Sequence, residues 1–163
     1  MVWIHHTISR PSVIDTNKFL ISNSASLVHL YAKNRKDIKP TYKKLKKVAK
    51  DYDVYLTPRR PKRWHYDEKD DRFHRIGGII LVPHLPKGFN FSGRKMSYGQ
   101  HGFDNSLPDM QATFYAWGPA FRQHYEIGNF ENIHIYPLIT HILGLHIDSK
   151  IDGNFKVLEE VLK

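Results

Sequence analysis

The run Ile76-Gly77-Gly78-Ile79-Ile80-Leu81-Val82 is the most apolar stretch of the chain and constrains its fold more than any other feature. It is short, rich in β-branched residues and closed by Pro83, which predicts a buried strand. Phe19-Leu20-Ile21 and Leu27-Val28-His29-Leu30-Tyr31 read as two further strands. The Ser22-Asn23-Ser24-Ala25-Ser26 loop between them has hairpin chemistry. The spacing then predicts a helix over roughly Ile38 to Lys50, with Asp37 as its cap and Pro40 in its first turn, where a missing N–H is harmless. Tyr42, Leu45, Val48, Ala49 and Tyr52 recur at helical spacing as the buried stripe, which leaves Lys43, Lys44, Lys46, Lys47 and Lys50 toward solvent. Val54-Tyr55-Leu56 reads as a strand entered directly from this helix.

Residues 57–75 are polar and broken by Pro58 and Pro61, with Trp64 and Tyr66 as anchors. Residues 83–111 form a long Pro- and Gly-containing connection, a length that in a compact domain usually signals function or disorder. Ala112-Thr113-Phe114-Tyr115-Ala116-Trp117 reads as a strand closed by Gly118-Pro119. A last helix is expected from about Ile133 to Leu143, with Ile135, Leu138, Ile139, Ile142 and Leu143 as its apolar face and Gly144 as its stop. Strands alternating with helices argue for an α/β fold, a sheet with helices on its faces. No Gly/Ser linker divides residues 1–163, which therefore read as one domain.

The 25 Lys and Arg against 16 Asp and Glu give a formal net charge of +9. The excess is local: residues 33–63 hold 13 Lys/Arg and 3 Asp, a sum of +10, and the remainder of the chain is near neutral. Such a segment attracts polyanions. A non-catalytic module that binds a polyanion through this 33–63 segment is one reading of it. A solvated face of an amphipathic helix is the plainer one, and no aromatic stacking residue interleaves with these lysines on that face, which argues against nucleic acid as the partner. The chain has no Cys, which excludes disulfide scaffolds and thiolate zinc sites. No apolar run approaches the ~20 residues of a membrane span.

Among candidate site residues, His134 and His141 are seven apart. They share a helix face but stand about 10 Å apart along the axis, too far for one metal ion. Arg59-Arg60-Pro61-Lys62-Arg63 has the guanidinium forks that suit phosphate, but no Gly-rich anion loop accompanies it. The segment Gly99-Gln100-His101-Gly102-Phe103-Asp104-Asn105 places a histidine between two glycines in the long connection after the buried strand. Glycines allow close backbone approach there, and Asp104 can orient a neighbouring His as an acceptor. One His does not make a zinc site, which needs at least three protein ligands. No nucleophile elbow, P-loop or Gly-x-Gly-x-x-Gly is present.

The block GQHGFDNSLPDMQATFYAWGPAF, followed by FENIHIYPLITHILGL, resembles the C-terminal part of the nucleotide pyrophosphatase/phosphodiesterase family, within the alkaline phosphatase superfamily. The segment from Asp53 to Val82, with RWHY and then RIGGIILV, is similar to the same family further upstream. Phe103 stands where the family more often has Tyr. The resemblance implies the C-terminal part of an alkaline-phosphatase-like three-layer α/β/α sandwich, incomplete as a stand-alone chain, with sheet edges and apolar faces left open. It implies a zinc-dependent hydrolase of phosphodiester or pyrophosphate bonds, in which a Thr or Ser attacks phosphorus beside two zinc ions. His101 matches the family's last metal ligand, and Gly99 and Gly102 match its flanking glycines. The family's nucleophile, its Asp-x-x-x-His pair and its Asp-His-Gly motif find no counterpart in these residues. The resemblance therefore implies one metal ligand, no nucleophile and no activity for the chain alone, a missing N-terminal half as partner, and a periplasmic or extracellular location for the complete protein.

Overall fold

The computed structural model describes residues 2–66, 71 and 73–163. Within the segment 57–75, residues 67–70 and 72 lie outside the described residues. Two units can be separated, residues 1–111 and 112–163.

The first unit begins with two short strands, β1 (Val2–Trp3) and β2 (His6–Ile8). His6 opens β2 and His5 precedes it, and both side chains are exposed. The hairpin follows: β3 (Phe19–Asn23) pairs antiparallel with β4 (Val28–Ala32) in the register Phe19↔Ala32 to Asn23↔Val28. Its turn is closed by the Ser24 N–H donating to the Leu27 carbonyl at 2.8 Å, and the Ser24 hydroxyl accepts from the Leu27 N–H.

Helix α1 (Ile38–Val48) comes next. Asp37 precedes it but makes no capping hydrogen bond with its side chain. Its carboxylate pairs with Lys18 Nζ at 3.3 Å instead, while Asn34 caps the single 3-10 turn that leads into the helix. Leu45 and Thr41 are buried, and Ile38, Tyr42 and Ala49 pack at the margin of the core. Val48, expected on this stripe, faces solvent. It lies on the same side of the helix as Thr41 and Leu45, but it is the last residue of α1.

β5 (Tyr52–Leu56) and β6 (Ile79–Pro83) complete a four-stranded antiparallel sheet in the order β3-β4-β6-β5. β6 is interior, with His29↔Ile80 on one side and Tyr55↔Ile80 on the other. Ile79, Ile80 and Leu81 are fully buried, which matches the reading of this run as a strand with no polar face. Each such side chain contributes about 1.5–3 kcal/mol through removal from water. Gly77 and Gly78 precede β6 rather than lying within it. A Cβ on Gly77 would sit 2.8 Å from the backbone N and O of Leu30, so glycine is there to let β4 come close.

The sheet has two unlike faces because side chains alternate along a strand. Phe19, Val28, Leu30, Val54, Ile79 and Leu81 point to one face and join Leu45 of α1, Tyr52 and Phe89 in the main core. The other face carries His29, Tyr31, Tyr55 and Ile80. It is met by the 57–66 segment, where Trp64 packs edge-on to Tyr55 at 5.3 Å and Tyr66 lies 6.3 Å from His29.

The long connection contains two short strands. β7 (Lys87–Phe89) pairs parallel with β2, and β8 (Gly99–Gln100) pairs antiparallel with β1.

The second unit holds helix α2 (Ile135–Ile142) and a small core of Leu138, Leu158 and Val161 with Phe114, Phe121, Phe130 and Phe155 around it. The expected strand over 112–117 does not form. Only Phe114 turns inward, while Tyr115 and Trp117 are 81% and 84% exposed. A strand requires a partner ladder, and the described residues of this unit offer only one isolated bridge, Phe121↔Leu162. The buried side of α2 also differs from the expected one: Pro137, Leu138 and Thr140 are buried, and Ile139, Ile142 and Leu143 are exposed. The helix is turned because it packs on residues 153–155. The His141 ring stacks on Phe155 at 4.0 Å, and the Asn154 N–H donates to His134 Nδ1 at 3.0 Å. The two histidines do share a face, and that face is spent on packing. α2 ends at Gly144 with φ +64°, the Gly144 N–H reaching the His141 carbonyl and the Leu145 N–H the Thr140 carbonyl, a Schellman arrangement.

Candidate functional site

The loop after β8 is built by three constraints. Gly102 has φ +79°, and a Cβ there would lie 3.0 Å from Ser26 Oγ, so both conformation and space call for glycine. Phe103 turns inward and is buried with Val2 and Ile4, against Met96, Leu107 and Met110. Asp104 then fastens the loop. Its carboxylate accepts from the Ser106 N–H at 2.9 Å and the Ser106 hydroxyl at 2.7 Å, which closes an Asx-type turn.

The same carboxylate also reaches across to the 57–66 segment. Trp64 Nε1 donates to it at 3.0 Å, Arg63 Nε donates at 3.3 Å and Arg63 Nη2 forms a close ion pair with it. Partial burial favours the neutral acid. The donors from Ser106, Arg63 and Trp64 outweigh that effect and hold the Asp104 carboxyl at about 2, against an ordinary 3.8.

His101 stands at the head of this turn with its side chain exposed. Gly99 lies in β8, opposite Trp3. The loop therefore brings Gly99, His101, Gly102 and Asp104 into one short segment. Asp104, expected to be able to orient a histidine, gives its oxygens to Arg63, Trp64 and Ser106 instead. Five donors, two of them from a cation, outcompete a neutral imidazole for a carboxylate. Among the described residues no group of three or more His, Asp or Glu side chains could hold a metal ion. The chain's own described residues thus do not make a zinc site around His101, since zinc takes at least three protein ligands.

The basic cluster at 59–63 separates into different roles. Arg60 is 7% exposed, donates from Nε to the Thr57 carbonyl at 2.7 Å and lies 5.7 Å from the centre of the Tyr66 ring. Arg63 is the partner of Asp104. Near these residues His29 is pushed below its ordinary pKa, first by burial and then by the Arg60 charge, with Asp71 opposing. Its Nδ1 accepts from the Gly77 N–H, which places the ring proton on Nε2. Arg63, Trp64, Tyr66, Phe103 and Asp104 border a cavity of about 220 Å³. The clamp between residues 63–64 and residue 104 spans about 40 positions and carries no local motif. The one sequence hint is the need of a packed Trp for an acceptor for its N–H.

Comparison with known proteins bears on this arrangement. No protein-family model matches the chain. Human ectonucleotide pyrophosphatase/phosphodiesterase 5 aligns with a TM-score of 0.81 and 25% identity over 93% of this chain and 39% of that one. The murine protein of the same name aligns with a TM-score of 0.83 at 24% identity. These likenesses place the chain in the alkaline-phosphatase-like α/β class. Among relatives, the human bis(5'-adenosyl)-triphosphatase ENPP4 is 33% identical over 154 residues, which is 93% of this chain and 32% of that protein. The mouse protein of that name is 34% identical over 140 residues, and mouse ectonucleotide pyrophosphatase/phosphodiesterase family member 1 is 40% identical over 110 residues. The chain belongs to the nucleotide pyrophosphatase/phosphodiesterase family and matches its C-terminal portion. It spans 29% and 32% of the length of the mouse and human ENPP4 relatives.

Proposed function

We propose that residues 1–163 are part of one phosphodiesterase/nucleotide pyrophosphatase catalytic domain, with His101 as a metal-binding imidazole that the complete enzyme uses. The observation that carries the reading is the 33% identity with the human triphosphatase over 93% of the chain. The exposure of His101 on a loop held by Phe103 and Asp104 supports it. In this reading the nucleophile and the other zinc ligands come from the portion of the relatives that this chain does not span. The chain alone is inactive. The substrate is a phosphodiester or nucleotide, and the complete protein acts outside the cytoplasm.

The chain's own contribution is positional. Gly102 permits the turn, Phe103 anchors it, and Asp104 ties it to Arg63 and Trp64, so that the His101 ring leaves a fixed base. The test uses a chimera in which the unmatched N-terminal portion of a relative is joined to this chain. His101→Ala should remove bound zinc, measured by atomic emission, and abolish hydrolysis of a nucleotide phosphodiester. Full zinc content and unchanged turnover in the variant would overturn the assignment. Zinc-dependent hydrolysis by residues 1–163 alone would overturn the inactivity.

A further inference from the structure

We propose that the solvent face of α1, together with the turn that leads into it, is a docking surface for a linear sulfated polysaccharide. The inference does not depend on the catalytic reading above. Its first observation is uncompensated charge. Lys33, Arg35, Lys36, Lys39, Lys43, Lys44, Lys46, Lys47 and Lys50 are all exposed, and none of them forms an ion pair among the described residues. Of the three carboxylates in this stretch of sequence, two pair with a lysine from outside it and the third faces a histidine there. Asp37 pairs with Lys18 at 3.3 Å, Asp51 with Lys87 at 2.6 Å, and Asp53 with His84 at 3.4 Å. The fold thus ties Asp37 and Asp51 to lysines outside the basic segment.

The second observation is geometry. Lys39, Lys43 and Lys46 fall at i, i+4 and i+7 and form one row along α1, with Lys44 and Lys47 beside it. From Lys39 to Lys47 the row covers about 12 Å of helix axis. Because Leu45 and Thr41 are sealed against the sheet, the helix keeps this face turned outward and rigid.

The surroundings select among polyanions. No exposed aromatic side chain stands on the helix, so bases have nothing to stack on. Lysines give point charges without the bidentate forks that read phosphates and guanines. The apolar side of α1 is already buried, and only Val48 offers an exposed apolar group, so insertion into a lipid interface has no anchor. A flexible linear chain bearing repeated sulfates needs only the row of charges.

The experiment measures binding of residues 1–163 to size-defined heparin oligosaccharides by titration calorimetry at several salt concentrations. Binding should weaken steeply with salt, because each neutralised anion releases a counterion. The variant with Lys43, Lys44, Lys46 and Lys47 all changed to Ala should bind more than about tenfold more weakly at low salt. Its salt slope should fall to roughly half, since four of nine cations are gone. Alanine is the best helix former, so circular dichroism should show α1 intact. The same four positions changed to Arg should retain binding, and Lys150→Ala with Lys156→Ala in the second unit should leave it unchanged. Salt-independent binding, an unaffected alanine variant, or tighter binding to duplex DNA or phosphatidylserine vesicles at matched charge would each overturn the proposal.

Discussion

Protonating Asp104 should unfasten the loop that carries His101, and the pH at which this happens follows from the geometry. The carboxylate accepts from Ser106, Arg63 and Trp64, and its pKa is held at about 2 against 3.8. A carboxyl whose folded pKa lies below its unfolded one stabilises the fold at pH values above the unfolded pKa. That stability is lost as pH falls through 3.8 toward 2. At 1.36 kcal/mol per unit, the drop corresponds to roughly 2.4 kcal/mol. The Asp104 side chain is 16% exposed but Arg63 is 48% exposed, so solvent screening reduces the expected value to about 1–2 kcal/mol. Asp104→Asn should therefore lower the stability of the first unit by about 1–2 kcal/mol at pH 7, a Tm loss of roughly 2–6 °C. The gap should narrow as pH falls through 3.8 toward 2, where the folded wild-type carboxyl itself takes up its proton. Paired urea denaturation of wild type and variant from pH 7 to pH 2.5 measures the gap. The indole Nε1–H resonance of Trp64 should titrate with an apparent pKa near the folded value. A gap that stays constant across this range, or an indole that titrates near 3.8, would refute the clamp.

Three further outcomes are expected. Leu45→Ala should cost about 2–5 kcal/mol in chemical denaturation, because Leu45 is the one fully buried side chain by which α1 joins the sheet core. Gly153→Ala should destabilise the second unit by more than about 1–3 kcal/mol, since the new Cβ would lie 2.2 Å from the Ile133 carbonyl oxygen, and neither backbone can give way cheaply; loss of the α2 circular dichroism signal on mild heating would report it. His101→Ala should leave thermal stability within about 0.5 kcal/mol, because the side chain is exposed and packs nothing.

What the sequence made legible was what local pattern encodes. The 19–32 hairpin, α1, β5 and the buried β6 follow from alternation, helical spacing and an all-apolar run, and each is found within a few residues of its expected bounds. The failures share one cause. ATFYAW has the composition of a strand, but a strand exists only if another strand pairs with it, and composition does not report that. Ile139, Ile142 and Leu143 satisfy a helical apolar face, but the segment 153–155 that α2 packs against decides which side is covered. At the candidate site, the glycines around His101 announced a special turn. The partners of Asp104 did not announce themselves, because Arg63 and Trp64 are brought to it by the sheet and not by sequence proximity. The same holds for the basic segment: its excess is readable by counting, while the pairing of Asp37 with Lys18 and of Asp51 with Lys87 is visible only in three dimensions.

The pairing of the first strands has a consequence for the order in which the chain can assemble. β1 and β2 find their partners in β8 and β7, with Val2 opposite Gln100 and His6 opposite Lys87. Those contacts are separated by roughly 80–100 residues, and at the synthesis rate of 5–20 residues per second the early strands wait about 4–20 s for their partners. During that interval the 19–83 sheet and α1 can close on their own, since their pairings are nearer in sequence. The loop of His101 is then set last, when the returning chain docks β8 against β1 and buries Phe103 over Val2 and Ile4. Slow codons placed before residue 87 would lengthen this window, during which β1 and β2 stay unpaired.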